Sequence, residues 1–438
     1  MRICLLVTVA TLVVARDSTC AQDVSIMAQA IPLVTRADPT ATRAALTEGY
    51  LTQPILMTHA SWAWLRVVST LNLEGLTIDR GELSTGGYGE GYVDRRHPHA
   101  YVHELLVGVE AGVGDLHASL FAGRGFAPFG SDDPMVRPFE KYPVNHHLAQ
   151  VLERVVAVGA LRYGPVVGEL ATFNGDEPTG PGSSPAFDRF ADSWSSRLTL
   201  LPLSDAEVSA SYASVTSPEV RVGHGLDQRK ASIVARFSRE TPTTWRYAML
   251  EWARTDERDN GALTTRLASV LGEGAGCARG IVVAGRIERT DRPEEERLLD
   301  PFRTPRPSTD LSNLGVSRWT ILTASISAPR VQRGIVSGRP FIEVARIGAS
   351  PGTPPGLFDA GLRYGASRMW MYSVGVRLRA GSMHDRMGRY GAALPSMMGG
   401  MGTHSANPES DKMPPMADMP STREPQMAHH ASTSQCSL

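Results

Sequence analysis

Residues of opposite polarity alternate with period two along most of the chain beyond Ser61. One face of each segment is apolar and the other polar, which is typical of β-strands rather than helices. A soluble β-sandwich gives the same signal, because its apolar face packs on a second sheet. In the clearest segment Trp370, Tyr372, Val374, Val376 and Leu378 alternate with Ser373, Gly375, Arg377 and Arg379.

The connections between these segments favour a closed barrel over a sandwich. Long connections such as 76–100 and 125–152 alternate with short ones such as 111–114 and 164. Outer-membrane barrels have long external loops and short periplasmic turns. The sequence therefore predicts an all-β, up-and-down antiparallel transmembrane β-barrel of about 14 strands, with 12 to 16 compatible with the pattern.

Four segments make up the predicted domain organisation. Residues 1–21 form a secretory signal peptide, with a charged start, an apolar run and small residues before the cut. Residues 22–60 have no clear period and are expected to be a periplasmic lead-in or a plug. Residues 61–380 form the barrel. Residues 381–438 are rich in proline, glycine and serine without an apolar period, which predicts a disordered tail.

Cysteine and hydropathy add two expectations about an exported chain. Cys4 and Cys20 leave with the signal peptide, and Cys277 and Cys436 lie so far apart in sequence that we expect no disulfide framework. Later apolar runs are shorter than the ~18 residues of a helical membrane span. The predicted location is the outer membrane, where the barrel contacts lipid.

Charge is balanced overall, but its positive part is nearly all arginine. The net charge of -1 gives no reason to expect a nucleic-acid partner. Lysine occurs only at Lys141, Lys230 and Lys412. The alternation places many arginines on the inner face of the barrel. The predicted lumen-lining arginines are Arg154, Arg162, Arg197, Arg236, Arg286, Arg377 and Arg379.

Residues 123–175 carry a resemblance to a known family. A Gly-Arg-Gly-Phe-Ala-Pro-Phe-Gly turn precedes a long polar loop, then Glu153-Arg154 and a hairpin that ends in Phe-Asn-Gly. This order resembles the phosphate-selective porins of bacterial outer membranes. The resemblance implies a β-barrel channel, anion preference and a homotrimer.

Two loops concentrate imidazole and carboxylate groups that could ligate zinc or copper. The first contains His97 and His99, followed by His103 and Glu104; the second contains Asp132, Asp133, His146 and His147. The candidate metal ligands here are His97, His99, His146 and His147. The alternative is that these side chains form hydrogen bonds in the barrel mouth. The His-Glu-x-x-His motif of a zinc protease is missing from the sequence.

The tail has an unusual set of soft ligands. It holds nine of the sixteen methionines, together with His429, His430 and Cys436. Thioether, imidazole and thiol groups favour copper(I) or silver(I) over harder ions. The candidate ligands are Met413, Met416, Met419, His429 and His430. Drift in an unconstrained terminus is the alternative, and no cofactor is required in either case.

The function predicted from the sequence is passive passage of small polar or anionic solutes through a porin-like channel, without chemistry. The tail would add copper(I) or silver(I) binding on the periplasmic side. The alternative function is metal resistance, with the barrel mainly anchoring the tail and the histidine loops. A lipid-hydrolysing barrel would need a Ser/His/acid constellation that the sequence does not assemble.

Overall fold

The computed structural model describes residues 23–39, 44–77, 99–178, 181–184, 187–218, 225–241, 243–295, 313–353, 359, 361–362, 365–381, 386–394 and 436. The predicted signal peptide lies outside these residues. Among them, no helix is both long and apolar enough to cross a membrane. The short helices are α1 (Glu74–Thr77) and α2 (His146–Ala149).

The strands form one antiparallel sheet that closes on itself, with 16 strands in the ring and one outside. Neighbours in sequence are neighbours in the sheet, and β1 pairs with β17 to close the barrel. β15 pairs only with the start of β16 and lies outside the ring. The strands are β1 (Asp23–Asp38), β2 (Leu46–Trp62), β3 (Leu65–Asn72), β4 (Val102–Val113), β5 (Leu116–Gly125), β6 (Arg154–Tyr163), β7 (Val166–Phe173), β8 (Ser193–Leu203), β9 (Ala206–Val215), β10 (Asp227–Glu240), β11 (Thr244–Asp259), β12 (Ala262–Ala278), β13 (Ile281–Glu295), β14 (Asn313–Ser327), β15 (Val331–Arg333), β16 (Val336–Pro351) and β17 (Arg368–Gly381).

The predicted all-β antiparallel barrel is confirmed, although about 14 strands was an underestimate. The difference comes mainly from residues 22–60, which are not a lead-in or plug. They form β1 and β2, which pair with each other over most of their length. The contrast between the faces of β1 is weak, because its buried inner face mixes Met27, Ile31 and Leu33 with Gln29 and Thr35. A mixed inner face removes the contrast on which the period-two signal depends.

The outer face of the barrel is apolar and the inner face is mixed and buried. On β17, Trp370, Tyr372 and Val374 are exposed, whereas Ser373 and Arg377 are buried. Exposed leucine, valine and isoleucine side chains cover other strands in the same way. A closed barrel with an apolar exterior suits lipid on the outside, because each strand of the ring pairs with a neighbour on both sides and leaves no open edge.

The outward position of Val374 allows a test of the membrane-facing surface. Val374 is 56% exposed and lies near the middle of β17. We expect Val374→Arg to impair assembly, because arginine near the bilayer midplane costs roughly 2–4 kcal/mol. Folding is measured by the gel shift between heated and unheated samples and by urea unfolding in lipid. Val374→Leu is the control, and equal stability of the two variants would contradict the assignment.

The two ends of the barrel differ in the length of their connections. At one end, pairs such as β4–β5, β6–β7 and β12–β13 are joined by tight two-residue turns. At the other end, residues 73–101, 126–153 and 174–192 form long connections, whereas β11 and β12 are joined by only Asn260 and Gly261. Short turns face the periplasm in outer-membrane barrels. Since β1 begins and β17 ends at the short-turn end, both ends of the barrel-forming chain lie there.

Two segments that are not strands fold inside the ring. The first is the connection between β5 and β6, residues 126–153, which we call the inner loop. The second is residues 386–394, which we call the terminal segment. Both are largely buried. They pack against the inner faces of the strands, so the interior is not an unobstructed tube.

The tail was expected to be disordered throughout 381–438, and two of its parts are instead ordered. The terminal segment packs in the barrel, where Met387 and Tyr390 are buried. Cys436 is also buried and forms a disulfide with Cys277 near the short-turn end of β12. The expectation of no disulfide was therefore wrong. Sequence separation does not measure distance here, because β12 and β17 both end on the side from which the tail emerges.

Candidate functional site

Charged pairs fasten the inner loop to the barrel wall. Arg377 donates from Nη2 to Glu140 Oε2 at 2.7 Å and to the Phe139 carbonyl at 2.9 Å. Arg286 of β13 pairs with Glu288 at 2.9 Å and donates to the Lys141 carbonyl at 3.1 Å. These arginines therefore both satisfy a carboxylate and hold loop backbone, which keeps the loop across the lumen.

The far side of the inner loop is held through α2. Asn145 donates from its side-chain amide to Glu251 at 2.7 Å and to Ser269 at 3.0 Å. The backbone N–H of Val144 donates to Glu288 at 2.8 Å. Buried polar groups of this kind specify one position of the loop, because moving it would leave carboxylates without donors in the interior.

Asp132 links the inner loop to the terminal segment. Arg386 donates to both oxygens of Asp132, at 2.5 and 2.6 Å, and to both oxygens of Glu207 on β9, at 2.5 and 2.7 Å. Arg389 lies 3.5 Å from Asp132. Burial alone would raise the pKa of Asp132, but Arg386, Arg236 and Arg389 hold it below its usual range.

Arg197 on β8 is the second link between the two inner segments. It pairs with Glu169 on β7 through two hydrogen bonds of 2.6 and 2.7 Å. It also donates to the Gly388 carbonyl at 3.0 Å. Tyr390 completes the contact, since its hydroxyl donates to Glu104 at 2.8 Å and accepts from the Phe126 N–H at 2.9 Å.

The seven predicted lumen arginines all lie on strands of the ring and contact inward-facing groups. Arg154 pairs with Glu177 at 2.9 Å, and Arg379 donates to Gln29 at 2.8 Å. Arg162 donates to the Leu394 carbonyl at 3.3 Å, and Arg236 lies 3.9 Å from Asp132. Arg197, Arg286 and Arg377 pair with carboxylates as described above, so most of the seven arginines have a carboxylate neighbour. Their charge is therefore largely balanced inside the barrel.

A histidine and carboxylate cluster lies where the inner loop meets β4 and β6. Glu153 Oε1 lies 2.5 Å from His103 Nδ1 and 3.3 Å from His99 Nδ1, and it accepts the Ala100 N–H at 2.8 Å. Glu153 has a positive φ of 58°, a conformation that costs free energy for a residue with a side chain. The fold holds this carboxylate against the two imidazoles despite that cost.

Asp133 and His146 lie on the other side of His103. His103 Nε2 is 3.6 Å from Asp133 Oδ2, and His146 Nε2 is 3.9 Å from the same oxygen. Asp133 Oδ1 accepts the Met135 N–H at 2.8 Å, which fixes the direction of Oδ2. All three side chains are fully buried.

The loop groups of this cluster have strongly shifted pKa values. Burial, together with His99, lowers the pKa of His146 to about 3. Burial alone would raise the pKa of Asp133, but the histidines around it, His103 first, lower it to about 2. The pKa of Glu153 is likewise held well below its usual range by His103 and His99, against the effect of burial. A neutral imidazole therefore faces an ionised carboxylate.

The structure brings some of the predicted metal ligands together. His99 and His146 are in the cluster, with ring centroids 5.2 Å apart. His97, the side chain of His147, and Met413, Met416, Met419, His429 and His430 lie outside the described residues. His103 and Asp133 lie in the two histidine- and carboxylate-rich segments, but their meeting with each other and with Glu153 could not be predicted, because residues far apart in sequence meet only through the fold. The density of histidine and aspartate in both loops was the one available signal.

The barrel and its contents define a class of protein. A closed antiparallel ring with an apolar exterior, a polar interior and a long inward-folded loop has the architecture of outer-membrane β-barrels. Phosphate selectivity is not established.

Comparisons with known proteins found no matching family model and no matching curated relative. Similar solved structures include an anion-selective porin from Comamonas acidovorans (10% identity, TM-score 0.47, covering 82% of this chain and 99% of that one). They also include the trimer form of OmpT from Vibrio cholerae (9% identity, TM-score 0.47, with 82% and 99% covered). A third is OccK2 of Pseudomonas aeruginosa in complex with glucuronate (9% identity, TM-score 0.40, with 83% and 100% covered).

Proposed function

We propose that the protein is an outer-membrane channel for passive passage of small polar or anionic solutes, narrowed by the inner loop and the terminal segment. The observation that carries this proposal is the polar interior of a closed barrel whose exterior is apolar. Such an interior requires water or polar solutes rather than lipid. No catalytic step is part of the proposal.

Selectivity is expected to be weak. Arg197, Arg286 and Arg377 each pair with a buried carboxylate, so the wall presents little net positive charge to a passing ion. The resemblance implies an anion preference and a homotrimer, and the proposal keeps both, with the anion preference as a weak one. Reversal potentials in a salt gradient measure the first, and the mass of the detergent-solubilised protein measures the second.

Conductance in planar bilayers tests the channel. The full chain is compared with a chain that ends after Gly381, which lacks the terminal segment and the tail. Steady current through either form supports a channel, and a larger current through the shorter form supports narrowing by the terminal segment. If neither conducts while both show the gel shift of a folded barrel, the channel proposal is wrong.

The alternative is a metal-binding protein whose barrel mainly anchors its tail. It is favoured by the packing of the interior, where the inner loop and the terminal segment are both buried. Absence of ion current in planar bilayers would favour this alternative over the channel. In either case we propose that the tail binds copper(I) or silver(I) through Met413, Met416 and Met419, since these form an evenly spaced thioether run.

Replacing these three methionines by leucine tests the tail. Leucine keeps the side-chain bulk and removes the sulfur, so silver binding at pH 5 should weaken markedly in a 381–438 peptide. Both peptides carry Cys436→Ser, because the thiol that pairs with Cys277 in the protein would otherwise be free to bind silver. Thioethers have no proton to lose, so their binding persists at acidic pH while histidine ligands protonate. Zinc binding at pH 7.5, which depends on histidine, is the control. Equal silver affinity of parent and variant in calorimetric titration would show that the methionines are not ligands.

A further inference from the structure

His103, Asp133 and His146 form a compact set of metal donors between the barrel wall and the inner loop. His103 belongs to β4, whereas Asp133 and His146 belong to the loop. Two imidazole nitrogens, His103 Nε2 and His146 Nε2, lie 3.6 and 3.9 Å from one carboxylate oxygen, Asp133 Oδ2. We propose that these three atoms bind a divalent transition-metal ion of the zinc class, joining the loop to the wall.

The distances fit an ion better than they fit hydrogen bonds. A hydrogen bond from imidazole to carboxylate requires about 2.7–3.2 Å between heavy atoms. Ligands that lie ~2.0–2.2 Å from one tetrahedral zinc ion are about 3.4 Å from each other. The separations of 3.6 and 3.9 Å from Asp133 Oδ2 are close to the second value, so the carboxylate oxygen lies at a ligand-to-ligand distance from each imidazole nitrogen.

Two of the donor atoms lack another use among the described residues. His103 Nε2 and Asp133 Oδ2 are fully buried and have no hydrogen-bond partner there. A buried polar atom without a partner costs about 1–3 kcal/mol. The two atoms lie 3.6 Å apart, so one bound cation would satisfy them together.

The groups behind the donors hold them in the orientation that a metal requires. Glu153 Oε1 is 2.5 Å from His103 Nδ1, and a hydrogen bond donated by Nδ1–H to this oxygen would leave the Nε2 lone pair for a metal. Metal-binding histidines commonly donate their other ring N–H to a carboxylate in this manner. Asp133 is fixed in the same sense by the Met135 N–H, and Asn145 anchors the start of α2 through Glu251 and Ser269.

The donor set also indicates which ions are suited. Two nitrogens and one oxygen favour zinc or a neighbouring divalent ion, with one or more positions left for water or another ligand. Copper(I) and silver(I) prefer sulfur. The site would therefore take a different class of ion from the methionine run of the tail.

Zinc binding by the refolded full chain tests the proposal. The protein is stripped with EDTA, dialysed against Zn²⁺, and analysed for bound metal. Every form carries His384→Gln, His404→Gln, His429→Gln and His430→Gln to remove the tail histidines. We expect Asp133→Asn and His146→Gln each to lower zinc affinity at this site by at least about 100-fold, and Glu153→Gln by about 10–100-fold. His117→Gln on β5 is the matched control and should bind like the parent.

The gel shift between heated and unheated samples shows whether each variant folds into a barrel. If Asp133→Asn does not fold, His146→Gln on the inner loop replaces it in the comparison. The visible spectrum of Co²⁺ provides a second readout, since nitrogen and oxygen ligands in a low-symmetry site intensify its bands. Bands that disappear in Asp133→Asn and persist in His117→Gln support the site. If the parent binds no zinc, or the cluster variants bind as His117→Gln does, Asp133 is only a charge partner of the histidines and the proposal is overturned.

Discussion

Replacing Arg386 by methionine is expected to release the terminal segment from the barrel interior and to raise the conductance. Arg386 makes bidentate hydrogen bonds to both Asp132 and Glu207. Removing the guanidinium leaves two buried carboxylates with only Arg389 and, for Asp132, Arg236 nearby. Breaking a buried pair from one side costs about 3–5 kcal/mol. Urea unfolding and single-channel current measure the two effects.

The control for Arg386→Met is the same substitution at an exposed ion pair. Arg239 lies 3.6 Å from Asp205, and its side chain is 64% exposed. Exposed pairs contribute about 0–1 kcal/mol, so Arg239→Met should leave stability and current nearly unchanged. Arg386→Lys keeps the charge but loses the bidentate geometry and should lie between the two. If Arg386→Met behaved like Arg239→Met, the terminal segment would not depend on this contact.

The sequence predicted the barrel wherever the two faces of a strand differ in polarity. β17 shows this clearly, because Trp370 and Val374 face outward and Arg377 faces inward. β1 escaped prediction because its inner face packs Met27 against the buried apolar residues of the inner loop and terminal segment, including Met135 and Met387. A strand whose inner neighbours are partly apolar protein rather than water carries apolar as well as polar residues there, so the contrast between its two faces weakens in the sequence.

The candidate site was predictable in composition but not in geometry. His99 and His146 stand out as parts of histidine-rich loops. The roles of Glu153 and Asp133 depend on the return of the inner loop into the barrel, which brings Glu153 within 2.5 Å of His103 although 50 residues separate them. The positive φ of Glu153 could not be predicted from the sequence either. Its conformational free-energy cost is offset only in the folded protein, where Glu153 contacts His103 and His99.

The terminal segment was predicted to be disordered, and its order could not be read from the local sequence. Its composition resembles that of the tail that follows it, with arginine, methionine and glycine and no apolar period. It is ordered because Arg389 and Tyr390 find buried partners, Glu169 and Glu104, on the barrel wall. Local sequence could not indicate this, because the partners lie on strands more than 200 residues earlier.

Loss of the disulfide between Cys277 and Cys436 is expected to free the end of the tail and to destabilise the folded protein. The bond joins residues 159 positions apart, and its closure of so long a loop is worth on the order of 5 kcal/mol in the chain-entropy account. The periplasm is oxidising enough for such a bond to form. Both sulfurs are buried beside Trp245 and Tyr247, which supports a formed bond rather than two accessible thiols.

Cys436→Ser and Cys277→Ser should therefore have the same effect, and the double variant should be no worse than either. Proteolysis and mass analysis without reductant should recover one peptide that contains both cysteines from the parent. Urea unfolding should show the loss of stability, and protease should cut the tail faster in each variant. Maleimide labelling of both cysteines in the unreduced, denatured parent would contradict the bond. We expect that neither cysteine is labelled in the unreduced parent and that its stability falls when reductant is added. Both results follow if a covalent link holds the tail to the short-turn end of the barrel.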